Sequence, residues 1–364
     1  MTSADRVAVV GTGLIGTSIA MAAIRAGDAV RGLDTDPQKL AGSVERAGLS
    51  PASTLEECVR GATIVLLCTP VPSIPQLAAE ALTLAPDAVV TDVGSVKSQV
   101  MAEVRSKVDP EDLRRFVGGH PMGGSERSGP EWASASVVDD IVWVLTPAPE
   151  ADETRVARLE AWVGRIGARP VRMDAERHDR LVAIVSHLPQ VASTALMGLA
   201  ATEEAGEPEI LLLAAGGFRD LTRLAASSPA LWSDILLSNR EAIARAIDLY
   251  VERLSRLKDL VLEERARDVE RLFAQAKEAR LSLAAKPQVR SGVAVLQVPV
   301  PDRPGVLAEF TVALGEAGVN IEDLQIVHSP EGGHGTVHLT VAADAVDRAT
   351  LALRERWFEP RRLA

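Results

Sequence analysis

Residues 118–126 read Gly-Gly-His-Pro-Met-Gly-Gly-Ser-Glu and set one histidine, His120, between glycine pairs. An imidazole can exchange a proton near neutral pH. With so few bulky neighbours a substrate could approach it closely, so the stretch reads as a loop presenting a general base. A second group lies near the start of the chain, where Gly11-Thr12-Gly13-Leu14-Ile15-Gly16 follows the apolar run Val7–Val10 and opens a helical pattern. Gly11 allows a tight turn, Gly13 lets the backbone approach a pyrophosphate, and Gly16 permits close packing of helix on sheet. The phosphates would rest on the helix N-terminus, where free N–H groups and the dipole favour anions. The next β-rich run ends beside Asp34. Its carboxylate would accept from a ribose 2′-hydroxyl and repel a 2′-phosphate, and no arginine follows directly, so NAD is favoured over NADP. Thr69, just past the run Ile64–Cys68, is a further candidate cofactor contact. A base beside a dinucleotide points to a proton removed while a hydride leaves.

Asp92-Val93-Gly94-Ser95-Val96-Lys97 follows another β-rich run, and the carboxyl ends of strands line the ligand crevice of an open α/β sheet. Ser95 could hydrogen-bond a substrate hydroxyl or His120, or simply cap the next helix. Lys97 could offset a substrate carboxylate. Pro189, inside a helical pattern, should free the carbonyl of Val185 and kink the helix. His187 and Gln190 share one face of that kink as candidate substrate contacts, the plain alternative being a buried, structural His187. His178 and His187 are nine apart, about half a rotation on a helix, so they face opposite ways. No other cluster has ligand spacing, and no metal site is expected. Arg219 and Arg223 are four apart, with Asp220 placed to orient one guanidinium by an ion pair. Arginine's planar fork suits a carboxylate, although a merely solvated ion pair would show the same spacing.

Elements must position these groups, and a chain of 364 residues has room for two or three domains. A net charge of −11 argues against nucleic acid or an anionic membrane as the main partner, so an anionic substrate needs local arginines. Two cysteines, one inside an apolar run, argue against a disulfide. The N-terminus carries no signal-like segment, and no apolar run approaches ~18 residues, so a cytoplasmic protein is expected. Over residues 1–173, six short β-rich runs alternate with helical patterns, which predicts a doubly wound, mostly parallel sheet. Residues 174–287 are helical throughout. There Ile243, Ile247, Tyr250, Leu254, Leu257 and Val261 form a heptad seam that is either core or a dimer interface, the helix's length and charged outer face favouring the dimer. Residues 291–364 read β-α-β-β-α, with Trp357-Phe358 as a short last strand, a ferredoxin-like module.

Together the motifs resemble the prephenate and arogenate dehydrogenases of tyrosine biosynthesis, in family order across residues 6–285: Gly11–Gly16, Asp92–Lys97, Gly118–Glu126, His178 with Ser186–Pro189, and Gly216–Arg223 running on to Trp232. The last module resembles an ACT domain through Asp302-Arg303-Pro304-Gly305-Val306-Leu307 and Gly318-Val319-Asn320-Ile321. The resemblance implies a Rossmann-type NAD-binding domain, an all-α dimerisation domain and a ferredoxin-like ACT domain. It further implies NAD-dependent oxidative decarboxylation of prephenate to 4-hydroxyphenylpyruvate. His120 would take the proton of the ring hydroxyl, with Ser95 orienting it, and Arg223 would bind a substrate carboxylate, set by Arg219 and Asp220. Tyrosine would bind the ACT module through Asp302, Gly305, Val306, Leu307 and Asn320. Where prephenate enzymes often read Leu-Pro-His this chain reads Leu188-Pro189-Gln190, which leaves arogenate as an alternative substrate. A β-hydroxyacid dehydrogenase would need a lysine that the helical region lacks before Lys258. A catalytically inert amino-acid sensor would have lost Ser95, His120 or Arg223. His120→Asn should lower turnover by roughly 100- to 10,000-fold, read by NAD reduction, while NAD binding measured by fluorescence stays intact.

Overall fold

A computed structural model of the chain describes every residue except 1–3, 124–128, 205, 208, 285–292, 302, 329–333 and 364. The chain divides into two compact units, residues 1–195 with 224–249, and residues 196–223 with 250–364.

In the first unit eight strands form one sheet: β1 (Arg6–Val10), β2 (Ala29–Leu33), β3 (Ser50–Pro51), β4 (Ile64–Leu67), β5 (Val89–Asp92), β6 (Phe116–Pro121), β7 (Val142–Pro147) and β8 (Arg169–Arg172). Their order is β3-β2-β1-β4-β5-β6-β7-β8. All neighbours are parallel except β6 and β7, which run antiparallel. Helices on both faces bury the central strands on each side, and β4 is buried at every residue. One core gathers around Trp143, Trp162 and Ile19, the other around Phe116, Ile74 and Leu82. This is the expected Rossmann-type sheet. Strand order reverses at β1, between β2 and β4, and such a switch point opens a crevice at the carboxyl ends of the strands.

The glycine turn after β1 is held by close approach. A Cβ on Gly16 would sit 1.9 Å from the carbonyl oxygen of Gly11, and one on Gly11, at φ +97°, would sit 2.4 Å from the carbonyl oxygen of Cys68. Gly13 has open space instead, with nothing within 4 Å of its would-be Cβ. The helix Leu14–Arg25 therefore starts with no side-chain cap on its first N–H groups.

The helical region begins with Ala175–Val182, passes through a π turn at Ala183–His187 and continues as Leu188–Glu203. The kink expected from Pro189 takes this form: the N–H of Leu188 reaches back five residues to the carbonyl of Ala183. The continuous stretch Ala175–Glu203 is long and apolar enough by length and composition to cross a membrane, with a mean hydropathy of 1.4, which corrects the expectation that no such stretch exists. Its hydropathy accumulates from alanines interspersed among larger residues rather than from an unbroken run of them, and it carries buried, hydrogen-bonded His187, Gln190 and Ser193.

The heptad seam on the helix Arg240–Leu262 splits in two. Ile243 is buried and Ile247 packs beside it against Leu188 and Val191, whereas Tyr250, Leu254 and Val261 are 40%, 49% and 59% exposed. The first turns are core, and the later turns leave an apolar stripe.

In the second unit β9 (Val293–Pro301), β10 (Asp323–His328), β11 (His334–Ala342) and β12 (Arg361–Arg362) form an antiparallel sheet in the order β10-β11-β9-β12. The helices Val306–Glu316 and Val346–Glu355 bury Phe310 and Leu353 in its core. This is the ferredoxin-like arrangement expected. The last strand is not Trp357-Phe358: Trp357 turns at φ 67° and is 93% exposed, Phe358 drops into the core against Phe310, and the chain pairs with β9 at Arg361 and Arg362.

Candidate active site

His120, Ser95, Thr69 and part of the glycine turn line one cavity of about 1200 Å³ in the first unit. Gly13, Leu14 and Ile15 line it from the glycine turn, Thr69 from the end of β4, Ser95 from the end of β5 and His120 from β6. Gly11, Thr12 and Gly16 stand behind that lining and shape it. Asp34 Oδ2 accepts from the N–H of Thr12 at 2.7 Å and from its hydroxyl at 3.2 Å, so the carboxylate locks the glycine turn. The open backbone at Gly13 and the uncapped helix behind it fit a pyrophosphate.

His120 sits on a strand rather than in a loop, which corrects the first expectation. Its flanking glycines answer to what lies behind them. A Cβ on Gly118 would sit 2.4 Å from Thr146 Oγ1, and one on Gly119 would sit 2.5 Å from the carbonyl oxygen of Asp92. Gly124, Ser125 and Glu126 of the same motif lie outside the described residues.

A buried ion pair fixes this strand end. Lys97 Nζ pairs with Asp92 Oδ2, both side chains being fully buried. Lys97 Nζ also donates to the carbonyl of Gly119 at 2.8 Å, while Asp92 Oδ1 accepts from the N–H of Gly119 at 3.0 Å. The pair thus takes both backbone groups of Gly119. Burial pulls the Lys97 ammonium below its usual pKa, against the opposing pull of Asp92 and Asp179. Lys97 therefore does not face a substrate carboxylate as expected; its ammonium is taken up by Asp92 and the carbonyl of Gly119.

The partner of His120 is His178, not Ser95. His120 Nδ1 lies 2.8 Å from His178 Nε2, and His178 Nδ1 lies 2.8 Å from Asp179 Oδ1. Asp179 also accepts from the backbone N–H of Lys97 and of Ser98, each at 2.8 Å. Those N–H groups and the His178 contact hold its carboxyl below the usual range against the effect of burial. A carboxylate can only accept, so His178 Nδ1 carries a hydrogen and its Nε2 offers a lone pair. His120 must then place its hydrogen on Nδ1, which leaves Nε2, without a partner among the described residues, as the free lone pair. Burial, with His178 and Lys97 nearby, holds His120 well below the usual histidine pKa, so its imidazole is neutral at pH 7.

His187 and Gln190 are both buried, and neither lines the cavity. Asn239 Nδ2 stands 3.2 Å from His187 Nδ1 and also donates to the carbonyl of Asp179, and the Trp232 ring meets His187 edge-on. Burial brings His187 to a pKa of about 4. Gln190 Nε2 donates to the carbonyl of Leu224 at 2.8 Å, and Ser193 Oγ accepts from the N–H of Ala225, so both brace that segment. The expectation that His178 and His187 face opposite ways fails because the π turn inserts one residue: His178 Nδ1 meets Asp179, His187 Nδ1 meets Asn239, and Asn239 donates to the carbonyl of Asp179. Among the described residues no group of three or more His, Cys, Asp or Glu is arranged to hold a metal.

Arg219 and Arg223 belong to the second unit and are exposed. No ion pair joins Asp220 to Arg223, because the helix Gly216–Thr222 ends first and Arg223 enters a tighter 3₁₀ turn. In the ferredoxin-like module Gly305, at φ 87°, starts the helix Val306–Glu316. There Val306 is buried, Leu307 is 38% exposed and Asn320 Nδ2 donates to Glu322; Asp302 lies outside the described residues.

Known proteins resemble this chain in all three of its regions. The sequence matches the nucleotide-binding domain of prephenate dehydrogenase over residues 19–172, its dimerization domain over 174–277, and an ACT domain over 294–356. It is 32% identical to the prephenate dehydrogenase of Bacillus subtilis over 349 residues, 93% of each chain. The crystal structure of prephenate dehydrogenase from A. aeolicus, in complex with hydroxyphenyl propionate and NAD+, superposes with a TM-score of 0.72 at 29% identity, over 77% of this chain and 99% of that one. Synechocystis arogenate dehydrogenase superposes with a TM-score of 0.67 at 29% identity, over 76% and 98%.

Two outcomes are expected. Lys97→Met leaves Asp92 charged and unpaired and should lower stability by about 3–5 kcal/mol in chemical denaturation, with Asp92→Asn/Lys97→Met recovering part of the loss. The neutral form of His120 persists to lower pH than in an ordinary histidine, so kcat/KM should hold its plateau down through pH 6.5 and fall only well below it. An acid limb at or above 6.5 would contradict the assignment of His120 as the base.

Proposed function

We propose, from the premise that this chain belongs to the prephenate dehydrogenase family, that it oxidises prephenate to 4-hydroxyphenylpyruvate. It is an NAD-dependent dehydrogenase with a nucleotide-binding domain, a dimerisation domain and an ACT domain. The observation that carries the reading is His120, its Nδ1 committed to His178, lining the same cavity as Ser95 and the glycine turn. Bound NAD supplies the hydride acceptor. His120 Nε2 accepts the proton of the ring 4-hydroxyl, and Ser95 hydrogen-bonds that hydroxyl. The ring carboxylate, on the carbon across the ring from the hydroxyl, departs as carbon dioxide, its bonding pair entering the ring, and aromatisation makes the step irreversible. Arg219 and Arg223 are the guanidinium groups we assign to a substrate carboxylate. The uncapped helix behind Gly13 and the open approach at that residue receive the pyrophosphate, and Asp34, by locking Thr12, keeps that turn in shape. General acid–base help of this kind is worth roughly 100- to 10,000-fold.

The reading includes the division at 1–173, 174–287 and 291–364. It also includes a homodimer through the exposed stripe Tyr250, Leu254 and Val261, and a cytoplasmic setting, which suits two free cysteines. Tyrosine is the effector we assign to the ACT module, with Gly305, Val306, Leu307 and Asn320 as its contacts together with Asp302. Arogenate is the second substrate considered, because a relative carries that name and Gln190 stands where an ionic partner could have decided the matter. Gln190 is spent on the carbonyl of Leu224, which leaves no carboxylate from that position for an ammonium.

Initial NAD reduction with prephenate and with arogenate in parallel, each repeated with tyrosine, tests the proposal. Prephenate should turn over faster, and added tyrosine should lower its rate. Faster arogenate turnover would overturn the substrate, and indifference to tyrosine the effector. Silence with both substrates would overturn the enzyme itself.

A further inference from the structure

Asp179 reaches both groups assigned to the substrate hydroxyl, each through its neighbours. It lies on the helix Ala175–Val182, 4% exposed, and its Oδ1 stands 2.8 Å from Nδ1 of His178, the ring that contacts His120. The same carboxylate accepts from the N–H groups of Lys97 and Ser98, where the helix Ser98–Lys107 begins without a side-chain cap from Lys97. Ser95 lies just before that start, and Asp92 Oδ2 takes the N–H of Gly94 on its other side. The segment carrying Ser95 is thus pinned at both ends by carboxylates, and one of them also faces the histidine pair.

We propose that Asp179 is a positioning residue for the oxidation: through His178 it holds the hydrogen of His120 on Nδ1 and supports the positive ring formed when Nε2 takes a proton, and through the backbone of Lys97 and Ser98 it keeps Ser95 in place. The inference rests on the reading of His120 as the base. As hydride leaves for NAD, the substrate O–H bond breaks and N–H forms at His120 Nε2. His120 is then an imidazolium whose Nδ1–H still donates to His178, and His178 Nδ1–H still donates to Asp179. Neither of those hydrogens changes its nitrogen. The carboxylate stabilises the positive ring along these two bonds and takes no proton itself. After the product departs, Nε2 releases its proton to water entering the active-site cavity, so each ring ends in the tautomer in which it began. A buried cation without a counter-charge is costly. The Lys97–Asp92 pair is neutral as a whole, which leaves Asp179 as the counter-charge on the histidine chain. A helix cap would need only the two backbone contacts, so the contact with His178 is what separates this role from a structural one.

The chain has six histidines, so nitrogen-labelled histidine lets NMR read the tautomer of His120 without turnover, with His120→Asn assigning its signals. Asp179 also lines a second cavity in the same unit, of about 580 Å³, through which formate can occupy the vacated place in Asp179→Ala. Asp179→Asn keeps the size and an oxygen for the backbone but carries no charge. In the parent, His120 should show a protonated Nδ1 and a bare Nε2. Both variants should lose that single tautomer, lower kcat for prephenate about 100- to 10,000-fold and leave the affinity for NAD within about twofold. Formate should restore kcat in Asp179→Ala in proportion to its concentration, and the parent tautomer with it. A parent ring with its hydrogen on Nε2 would overturn the proposal. So would a loss of rate in both variants with the parent tautomer and no response to formate, since that describes a helix cap. An active His120→Asn would overturn the base, and the proposal with it. An inactive His120→Asn beside a fully active Asp179→Asn would leave the base standing and remove Asp179 alone.

Discussion

The active site rests on a pair of charges that never meet solvent. Lys97 and Asp92 neutralise each other beneath β6, and between them they occupy both backbone groups of Gly119. Backbone pairing between β5 and β6 covers Val90 with Phe116 and Thr91 with Val117, so the ion pair extends the sheet past its last ladder contact. Desolvating two charges is costly, and only the extra hydrogen bonds to Gly119 and Gly94 make the arrangement favourable. The same crowding excludes any side chain at Gly118 and Gly119. His120 is consequently presented from a strand held on both sides, not from a pliable loop.

Opposite this strand, the glycine turn solves a different problem with the same means. There the backbone itself is the binding surface, and Gly11 and Gly16 are required because carbonyl oxygens lie against them. The cavity thus has one wall of main-chain N–H groups suited to an anion and another bearing a neutral imidazole. The hydrogen-bond chain to Asp179 determines which ring nitrogen is free. Position comes from the buried ion pair and protonation from the histidine–carboxylate chain, and the two share residues: the backbone N–H of Lys97 is one of the bonds that keep Asp179 charged.

Much of this was legible in the sequence, for identifiable reasons. β1, β2, β4 and β5 are short apolar runs between turn signals, and the glycine turn has a spacing that few other structures require. β3, of two residues, and β8, which begins and ends with arginine, carry no apolar signature and were not foreseen. His120 could be singled out by its neighbours, but its partner is 58 positions away, and only the fold brings them together. Lys97 was read as facing a substrate carboxylate because sequence shows charge and not direction. Pro189 announced a disturbance of its helix without revealing its form. The heptad seam was read as core or interface, and the structure divides it part-way along one helix.

The π turn at Ala183–His187 makes this part of the gene tolerant of a one-codon loss. A stretch wound with one surplus residue absorbs it in a single wide turn and keeps the helices on either side in register. Loss of one residue inside the turn would let ordinary α-helical winding resume, with His187, Gln190 and Ser193 still on the faces that meet their partners. The same loss further along the helix has no surplus to remove and would rotate everything beyond it by about 100°.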